Sequence, residues 1–316
     1  MKLIINKHNI GNFVTLALKY SKSGMYHEAK KTYELILDNI NFLFPEIYLG
    51  YANTLIDLKD YKQAIVNFKK CLHYNDSTYE AYFGIALSYE KLSKGKKAIY
   101  YYKASIKCYP DFLQAYNNLG NLYQNRFKYK KAKKIYKRGI LCSEKSTKLL
   151  DNMGTLCQCI GKYKKSLKYY KMAFTSDPTN SQAYFNFSLA LLMLGKLKKG
   201  FKYYEYRLKL QKSLATTTLP YRKRWQGQVI KNKILFIFTE QGYGDSIQFI
   251  RYITFIKKIS KATIILKCQK ELSTLFQNIP NINIVMSTNS IQNFDYFLPL
   301  LSAPFSINKS LNHIPN

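Results

Sequence analysis

The sequence predicts a mainly α protein, an α-solenoid of stacked helix–turn–helix repeats followed by a small, incomplete α/β half-domain. Three observations carry that prediction. A small residue recurs at Ala29, Ala64, Ala98, Ala132, Ser166 and Gly200, a step of 35 followed by steps of 34. Four positions after each stands a large aromatic: Tyr33, Phe68, Tyr102, Tyr136, Tyr170 and Tyr204. Beyond Lys212 the period stops, and short β-branched and aromatic runs alternate with helical patterns.

Composition allows this architecture. At 316 residues and 47% hydrophobic content the chain has room for two domains with packed cores. The segment from Met1 to Lys19 lacks the apolar stretch and small-residue cleavage site of a targeting signal. The densest apolar run, Ile234 to Phe238, has strand length and is far short of a membrane span. Cys71, Cys108, Cys142, Cys157, Cys159 and Cys268 show no metal or redox spacing, so they read as reduced, mostly buried thiols of a cytoplasmic protein. The formal net charge is +32. Its carriers are almost all lysine, part of a wider excess of residues with A/T-rich codons; the arginines are Arg126, Arg138, Arg207, Arg222, Arg224 and Arg251. Bidentate reading of phosphate or guanine favours arginine, so the balance argues against specific nucleic-acid recognition while leaving affinity for anionic surfaces.

The repeats run over about 10–43, 45–78, 79–112, 113–146, 147–180 and 181–214. Sixteen positions before the small-residue column stand Phe13, Tyr48, Tyr82, Tyr116, Leu150 and Tyr184; twelve before it stand Ala17, Ala52, Ala86, Gly120, Gly154 and Ser188. Small residues mark where two helices cross closely, and the aromatics fill the space beside them. Pro110 and Pro178 close their units, as proline ends one helix and opens the next turn. The four columns and their period resemble the tetratricopeptide repeat. Asn41, Asp76, Glu144 and Lys212 depart from it in place of the closing proline, and Gly95 and Leu197 in place of a turn tyrosine.

Each first helix is expected to line the concave face and each second helix the convex face. On first helices Asn118, Asn152 and Asn186 recur at 34-residue steps, where earlier units carry Thr15, Gly50 and Gly84. A carboxamide offers donors and an acceptor, suited to the backbone of an extended peptide. The resemblance adds that O-linked N-acetylglucosamine transferases hold substrate proteins on such a ladder. The plainer alternative is that asparagine is tolerated at an exposed consensus position. On second helices the pairs Lys96-Lys97, Lys130-Lys131, Lys164-Lys165 and Lys198-Lys199 predict a basic stripe, either a solvated face or a dock for an acidic protein, anionic headgroups or nucleic acid.

Residues 213–232 read as a linker and 233–316 as a second domain. Lys233 to Thr239 suits a strand buried on both faces. Glu240 to Asp245 reads as a glycine turn, and Ser246 to Lys258 as a helix. Ala262 to Cys268 and Ile282 to Ser287 read as further strands with a helix at Glu271 to Gln277 between them, the start of a Rossmann-like parallel sheet. Gly242 and Gly244 allow close backbone approach, and Asp245 is either a helix N-cap or a chemical group at the carboxyl end of the first strand.

The stretch from Trp225-Gln-Gly227 through Glu240-Gln-Gly-Tyr-Gly-Asp245 to Tyr252, with Phe294-Asp-Tyr296, Pro299 to Ser302, Ile314-Pro315 and Tyr204-Glu-Tyr-Arg207, resembles the glycosyltransferase-like region that follows the repeats in many bacterial tetratricopeptide proteins. That family is similar to the heptosyltransferases, with two facing Rossmann-like domains. The resemblance implies Asp245 as base for an acceptor hydroxyl, with Gly242 and Gly244 shaping the loop. It places the nucleotide-sugar donor mainly in a second domain, which this sequence does not include. No cofactor is therefore expected for this chain. The leading functional expectation is a scaffold that binds a protein or extended peptide in the repeat groove. The front portion of a glycosyltransferase acting on protein or glycan ranks second, and an adaptor working through the lysine stripe third. The half-domain is expected to pack on the final repeat or on another copy.

Overall fold

The computed structural model describes residues 9–39, 44–143, 145–210, 223–240, 242–286 and 293–307. Asn41, Glu144, Lys212, the stretch from Leu214 to Arg222, Gln241, Ser287 and Ile314-Pro315 lie outside them. The chain divides into two compact units, residues 1–156 and 157–316. The division falls inside the repeat array, earlier than the point where the repeat pattern ends.

The first unit holds helix pairs in chain order: α1 (Ile10–Lys22) with α2 (Tyr26–Asp38), α3 (Pro45–Asp57) with α4 (Tyr61–Tyr74), α5 (Tyr79–Lys91) with α6 (Gly95–Cys108), and α7 (Leu113–Asn125) with α8 (Tyr129–Cys142). Each pair also packs on the next, α2 on α3, α4 on α5 and α6 on α7. Helix α9 (Thr147–Cys159) follows. The periodic columns are the buried ones. Helix α8 buries Ala132, Ile135, Tyr136 and Gly139, while α6 buries Ala98, Tyr102, Ser105 and Ile106. The ring of Phe68 passes so close to Gly84 that a methyl group there would overlap it; Tyr33 stands in the same relation to Gly50, and Tyr136 to Gly120. Small residues are thus required where a second-helix ring meets a first helix.

The turns between paired helices share one conformation. Lys59, Ser93 and Phe127 adopt left-handed backbone, as Gly24 does in the first repeat, each just past the end of a first helix. The N–H of the following residue returns to a carbonyl five residues back, as in Lys94 to Tyr89 (2.8 Å) and Lys128 to Tyr123 (2.9 Å). This is the Schellman closure that satisfies the last carbonyls of a helix. Glycine makes it without strain, whereas a side chain costs about 1–2 kcal/mol.

In the second unit α10 (Tyr163–Ser176), α11 (Ser181–Met193), α12 (Leu197–Tyr204) and α13 (Arg207–Leu210) continue the helical pattern, again with left-handed turns at Gly161 and Gly195. The α/β part is a four-stranded parallel sheet in the order β3-β2-β1-β4. Its strands are β1 (Ile234–Phe238), β2 (Thr263–Lys267), β3 (Ile284–Met286) and β4 (Tyr296–Pro299). The sequence anticipated three of these. Tyr-Phe-Leu-Pro is too short to show a period, so β4 was not legible, yet its presence makes β1 an interior strand. The outer side of β4 is paired in turn, by a parallel bridge from Arg224 and by the Trp225 N–H donating to the Phe297 carbonyl (2.9 Å).

Alternation along β1 sends Leu235 and Ile237 into one cluster, with Trp225, Ile253, Ile264 and Phe276, and Phe236 and Phe238 into another, with Ile265 and Phe297. The strand is therefore buried on both faces, as its unbroken apolar run requires. The segment read as one helix after β1 is broken: α14 (Tyr243–Phe249), a 3-10 turn at Ile250–Tyr252, and α15 (Ile253–Ser260).

Two outcomes follow. Gly84→Ala lowers stability by about 1–3 kcal/mol through overpacking, and adding Phe68→Leu recovers part of the loss; urea unfolding measures both. The Asp295 carboxylate accepts the Ile234 N–H (2.8 Å), the main cause of its lowered pKa; burial, next in size, opposes this, and the Lys233 ammonium adds to it. The native state therefore binds this proton less readily than the unfolded chain. Its contribution is full above the ordinary carboxylate range, about pH 4, and is lost as pH falls through the depressed value. Asp295→Asn makes the acid limb of a stability–pH curve shallower.

Candidate functional site

In the first unit a cavity of about 430 Å³ opens between first helices and is lined by Phe83, Leu113, Asn117, Asn118, Lys145 and Lys148 among others. Two elements of the predicted asparagine ladder meet beside it, through a residue the sequence reading did not single out. The Asn152 carboxamide donates to Asn117 Oδ1 (2.6 Å), Asn117 Nδ2 donates to Asn118 Oδ1 (3.1 Å), and Asn118 Nδ2 donates to the Tyr102 hydroxyl (3.4 Å). Tyr102 in turn donates to Glu90 Oε2 (2.7 Å). Burial, followed by the Glu90 charge and hydrogen bond, raises the Tyr102 pKa well above its ordinary value, so the phenol stays protonated and orients the row. Asn118 and Asn152 are half-buried members of one amide relay rather than isolated surface groups. Asn186, in the second unit, accepts from Gln182 Nε2 (2.9 Å).

The relay belongs to a wider pattern. Buried second-helix tyrosines donate hydrogen bonds to the preceding first helix, Tyr102 to Glu90 and Tyr136 to Asn121 (2.6 Å) and Gln124 (3.3 Å). Within the second unit Tyr170 donates likewise to Gln158 (2.9 Å). Glu90, Gln124 and Gln158 stand 34 residues apart, a column that could have been found by pairing each tyrosine with the polar residue twelve positions earlier.

All eight lysines of the predicted stripe are exposed. Lys96-Lys97 lies in the first turn of α6 and Lys130-Lys131 in that of α8; in the second unit Lys164-Lys165 and Lys198-Lys199 open α10 and α12. Lys94, Lys128, Lys162 and Lys196 hold the N-cap positions before them. A cation there opposes the helix dipole, at about 0.3–1 kcal/mol. Part is offset by the Lys97 ammonium over the Tyr89 ring (5.4 Å) and Lys131 over Tyr123 (6.0 Å).

The second unit contains a buried, multiply paired arginine. The Arg207 guanidinium, 3% exposed, forms a two-pronged pair with Glu240 at the end of β1: Nε to Oε2 (2.9 Å) and Nη2 to Oε1 (2.6 Å). Its Nη1 reaches Glu205 (3.0 Å), its Nη2 the Ser302 hydroxyl (2.9 Å), and its plane lies over the Tyr204 ring (4.7 Å). Arg224 pairs with the other oxygen of Glu205. Burial alone would lower the Arg207 pKa, but Glu240 and then Glu205 outweigh it and hold the pKa above its ordinary value. Phe201 meets Phe249 edge-on at 6.1 Å, and a cavity of about 350 Å³ lies among Leu192, Phe201, Tyr204, Phe249, Arg251 and Tyr252. The α/β part thus packs on the final repeat, one of the two expected arrangements.

The glycine turn differs from expectation. The helix begins at Tyr243 with Gly242 as its N-cap, so Gly244 and Asp245 lie inside its first turn and Asp245 is not the cap. Asp245 is exposed. A Cβ on Gly242 would come within 2.8 Å of Asp245 Oδ2, whereas one on Gly244 would meet nothing. The open side of Gly242 therefore holds a carboxylate, which repels a phosphate. Among the described residues no three His, Cys, Asp or Glu side chains group to hold a metal ion. The cysteines are unbridged: Cys71, Cys157 and Cys268 are buried, whereas Cys142 and Cys159 are exposed and Cys108 is intermediate.

Sequence profiles of the tetratricopeptide repeat match residues 45–77 and 101–134. The chain carries tetratricopeptide repeats. A tetratricopeptide repeat protein of Parabacteroides merdae superimposes with a TM-score of 0.54 at 16% identity, covering 67% of this chain and 81% of its own. The C-terminal part of such a protein from Cytophaga hutchinsonii superimposes at 0.53 and 17% identity, covering 62% of this chain and 78% of its own. At these identities the likeness is one of fold. No curated protein matches the sequence. No helix among the described residues is long and apolar enough to cross a membrane.

Arg207→Met leaves Glu240 and Glu205 without their shared cation, and its cost is about 3–5 kcal/mol. Arg207→Lys keeps the charge without the fork and loses less. Thermal unfolding of the full chain, compared between the two variants, checks the order.

Proposed function

We propose that the repeats of this protein hold an extended peptide segment of a partner protein in the cavity beside Asn117 and Asn118. The carrying observation is the conjunction of an apolar wall, Phe83 and Leu113, with the pre-oriented amide row Asn152–Asn117–Asn118 at one cavity of about 430 Å³. The apolar wall accepts a side chain while carboxamide groups pair with peptide N–H and C=O without reading sequence. Lys145 and Lys148 on the same lining favour a segment carrying negative charge. The amide row is costly to reorganise because each member orients the next, which lowers the entropy lost on binding.

A second reading is favoured by one observation. β1 connects onward to β2 on one side, whereas β4, reached from β3, lies on its other side, so the strand order reverses at β1, and ligands of open parallel sheets bind at such switch points beyond the carboxyl ends of the strands. Asp245 is exposed just past the carboxyl end of β1, which supports reading it as a base for an acceptor hydroxyl. In this reading Asp245 takes a proton from a hydroxyl, while the carboxylate beside Gly242 speaks against that loop as the seat of a nucleotide-sugar phosphate.

The test of the first reading is selection of peptides from a random displayed library on the full chain, followed by fluorescence anisotropy with a selected peptide. Asn117→Ala combined with Asn118→Ala weakens binding at least about tenfold, as expected for two lost hydrogen bonds near 1 kcal/mol each, with the melting profile retained. Unchanged affinity, or no enrichment of any peptide, sinks the proposal.

A further inference from the structure

In the first unit the exposed side of α8 combines uncompensated positive charge with outward apolar side chains. From Arg126 to Arg138 every charged residue is cationic. Lys130, Lys134 and Lys137 are exposed, and none enters an ion pair among the described residues. Their spacing, continued by Leu141, is that of one helix face. Leu141 is 81% exposed and Phe127, in the turn before the helix, 78% exposed. Phe127 occupies a left-handed position (φ 57°), the conformation that Gly24 supplies in the first repeat. A ring there is held outward against local backbone preference, and lysines stand at the N-cap and in the first turn against the helix dipole. The turn conformation is the closure the repeats share, but it does not call for an outward ring, which meets Tyr129 edge-on at 6.2 Å, and the lysines lower helix stability locally.

We propose that this face of α8 docks on the surface of an anionic phospholipid bilayer, with Phe127 and Leu141 entering the headgroup region and Lys130, Lys134 and Lys137 facing lipid phosphates and carboxylates. The apolar pair brackets the lysines at the two ends of a helix about 20 Å long, which suits a flat surface contacted along its length. Lysine supplies a hydrated point charge and suits a diffuse negative surface, whereas duplex reading draws on the arginine fork. Two exposed apolar side chains add affinity at a bilayer and lose nothing by lying among cations there.

The experiment is co-sedimentation of the full chain with vesicles of phosphatidylcholine alone and of phosphatidylcholine with about 30 mol % phosphatidylserine, beside a binding titration with duplex DNA. Binding to the serine-containing vesicles, absent on phosphatidylcholine alone, is expected. Replacing Lys130, Lys134 and Lys137 by Gln weakens it by about fivefold per lysine. Phe127→Gly, which suits the left-handed turn and should fold at least as well, combined with Leu141→Ser weakens it by about tenfold without changing charge. Phe127→Trp adds a direct readout, a blue-shifted emission on the anionic vesicles. No binding to anionic vesicles, or binding indifferent to the Phe127 and Leu141 changes, overturns the proposal. Tighter binding to the DNA through the same lysines would overturn it also, in favour of a nucleic-acid surface.

Discussion

The repeat array depends on one packing constraint, the close passage of a second-helix ring past a first-helix backbone. Phe68 against Gly84 and Tyr136 against Gly120 leave no space for even a methyl group. Because the ring is fully buried, its position sets how near two helices can lie, and repeating that contact propagates the same spacing. Tyrosine then adds a second requirement. A buried hydroxyl must be satisfied, and the acid or amide twelve positions earlier satisfies it in Tyr102–Glu90 and Tyr170–Gln158, while Tyr136 turns mainly to Asn121. The amide row at the proposed peptide site grows from this arrangement, since Asn118 reaches the same Tyr102 hydroxyl.

The second unit solves a different problem. A small parallel sheet cannot cover its own surfaces, and here the final repeat supplies cover through Phe201 and the Arg207 cluster. The buried ions themselves add little net stability, because desolvation consumes most of their attraction. Their fork geometry, however, admits one arrangement of Arg207, Glu240, Glu205 and Ser302, and this defines how the last helical turn meets the strand ends. The Asp245 charge helps to raise the pKa of half-buried Tyr204, after the larger effects of burial, which raises it, and of Arg207, which opposes it.

The functional features draw on different physics. The peptide cavity depends on short, directional amide contacts inside a half-buried surface. The α8 face depends on charge summed over exposed lysines and is screened by salt. The lysine pairs are not all alike: Lys97 and Lys131 lie over tyrosine rings, while among the described residues Lys130 and Lys134 have no such ring.

Much of the fold was legible because it is periodic. Six units in phase, with small and aromatic columns four apart, leave few alternatives to stacked helix pairs, and the unbroken run from Ile234 to Phe238 has few readings besides a strand buried on both faces. Features without a period were not legible. Tyr296–Pro299 became a strand only because β1 offered it an edge. Glu205, Arg207 and Glu240 stood in recognisable motifs, yet nothing local pairs residues 33 positions apart. The turn read at Gly242 to Asp245 coiled into helix one residue after Gly242, which took Asp245 out of the cap position. What the sequence by itself determined was the local grammar of helices, turns and strand cores, since near-neighbour spacing encodes which face of an element is apolar. The tertiary structure decided which polar groups share protons, which glycines face rings, and which lysines stand uncompensated, because those depend on distances that only packing sets.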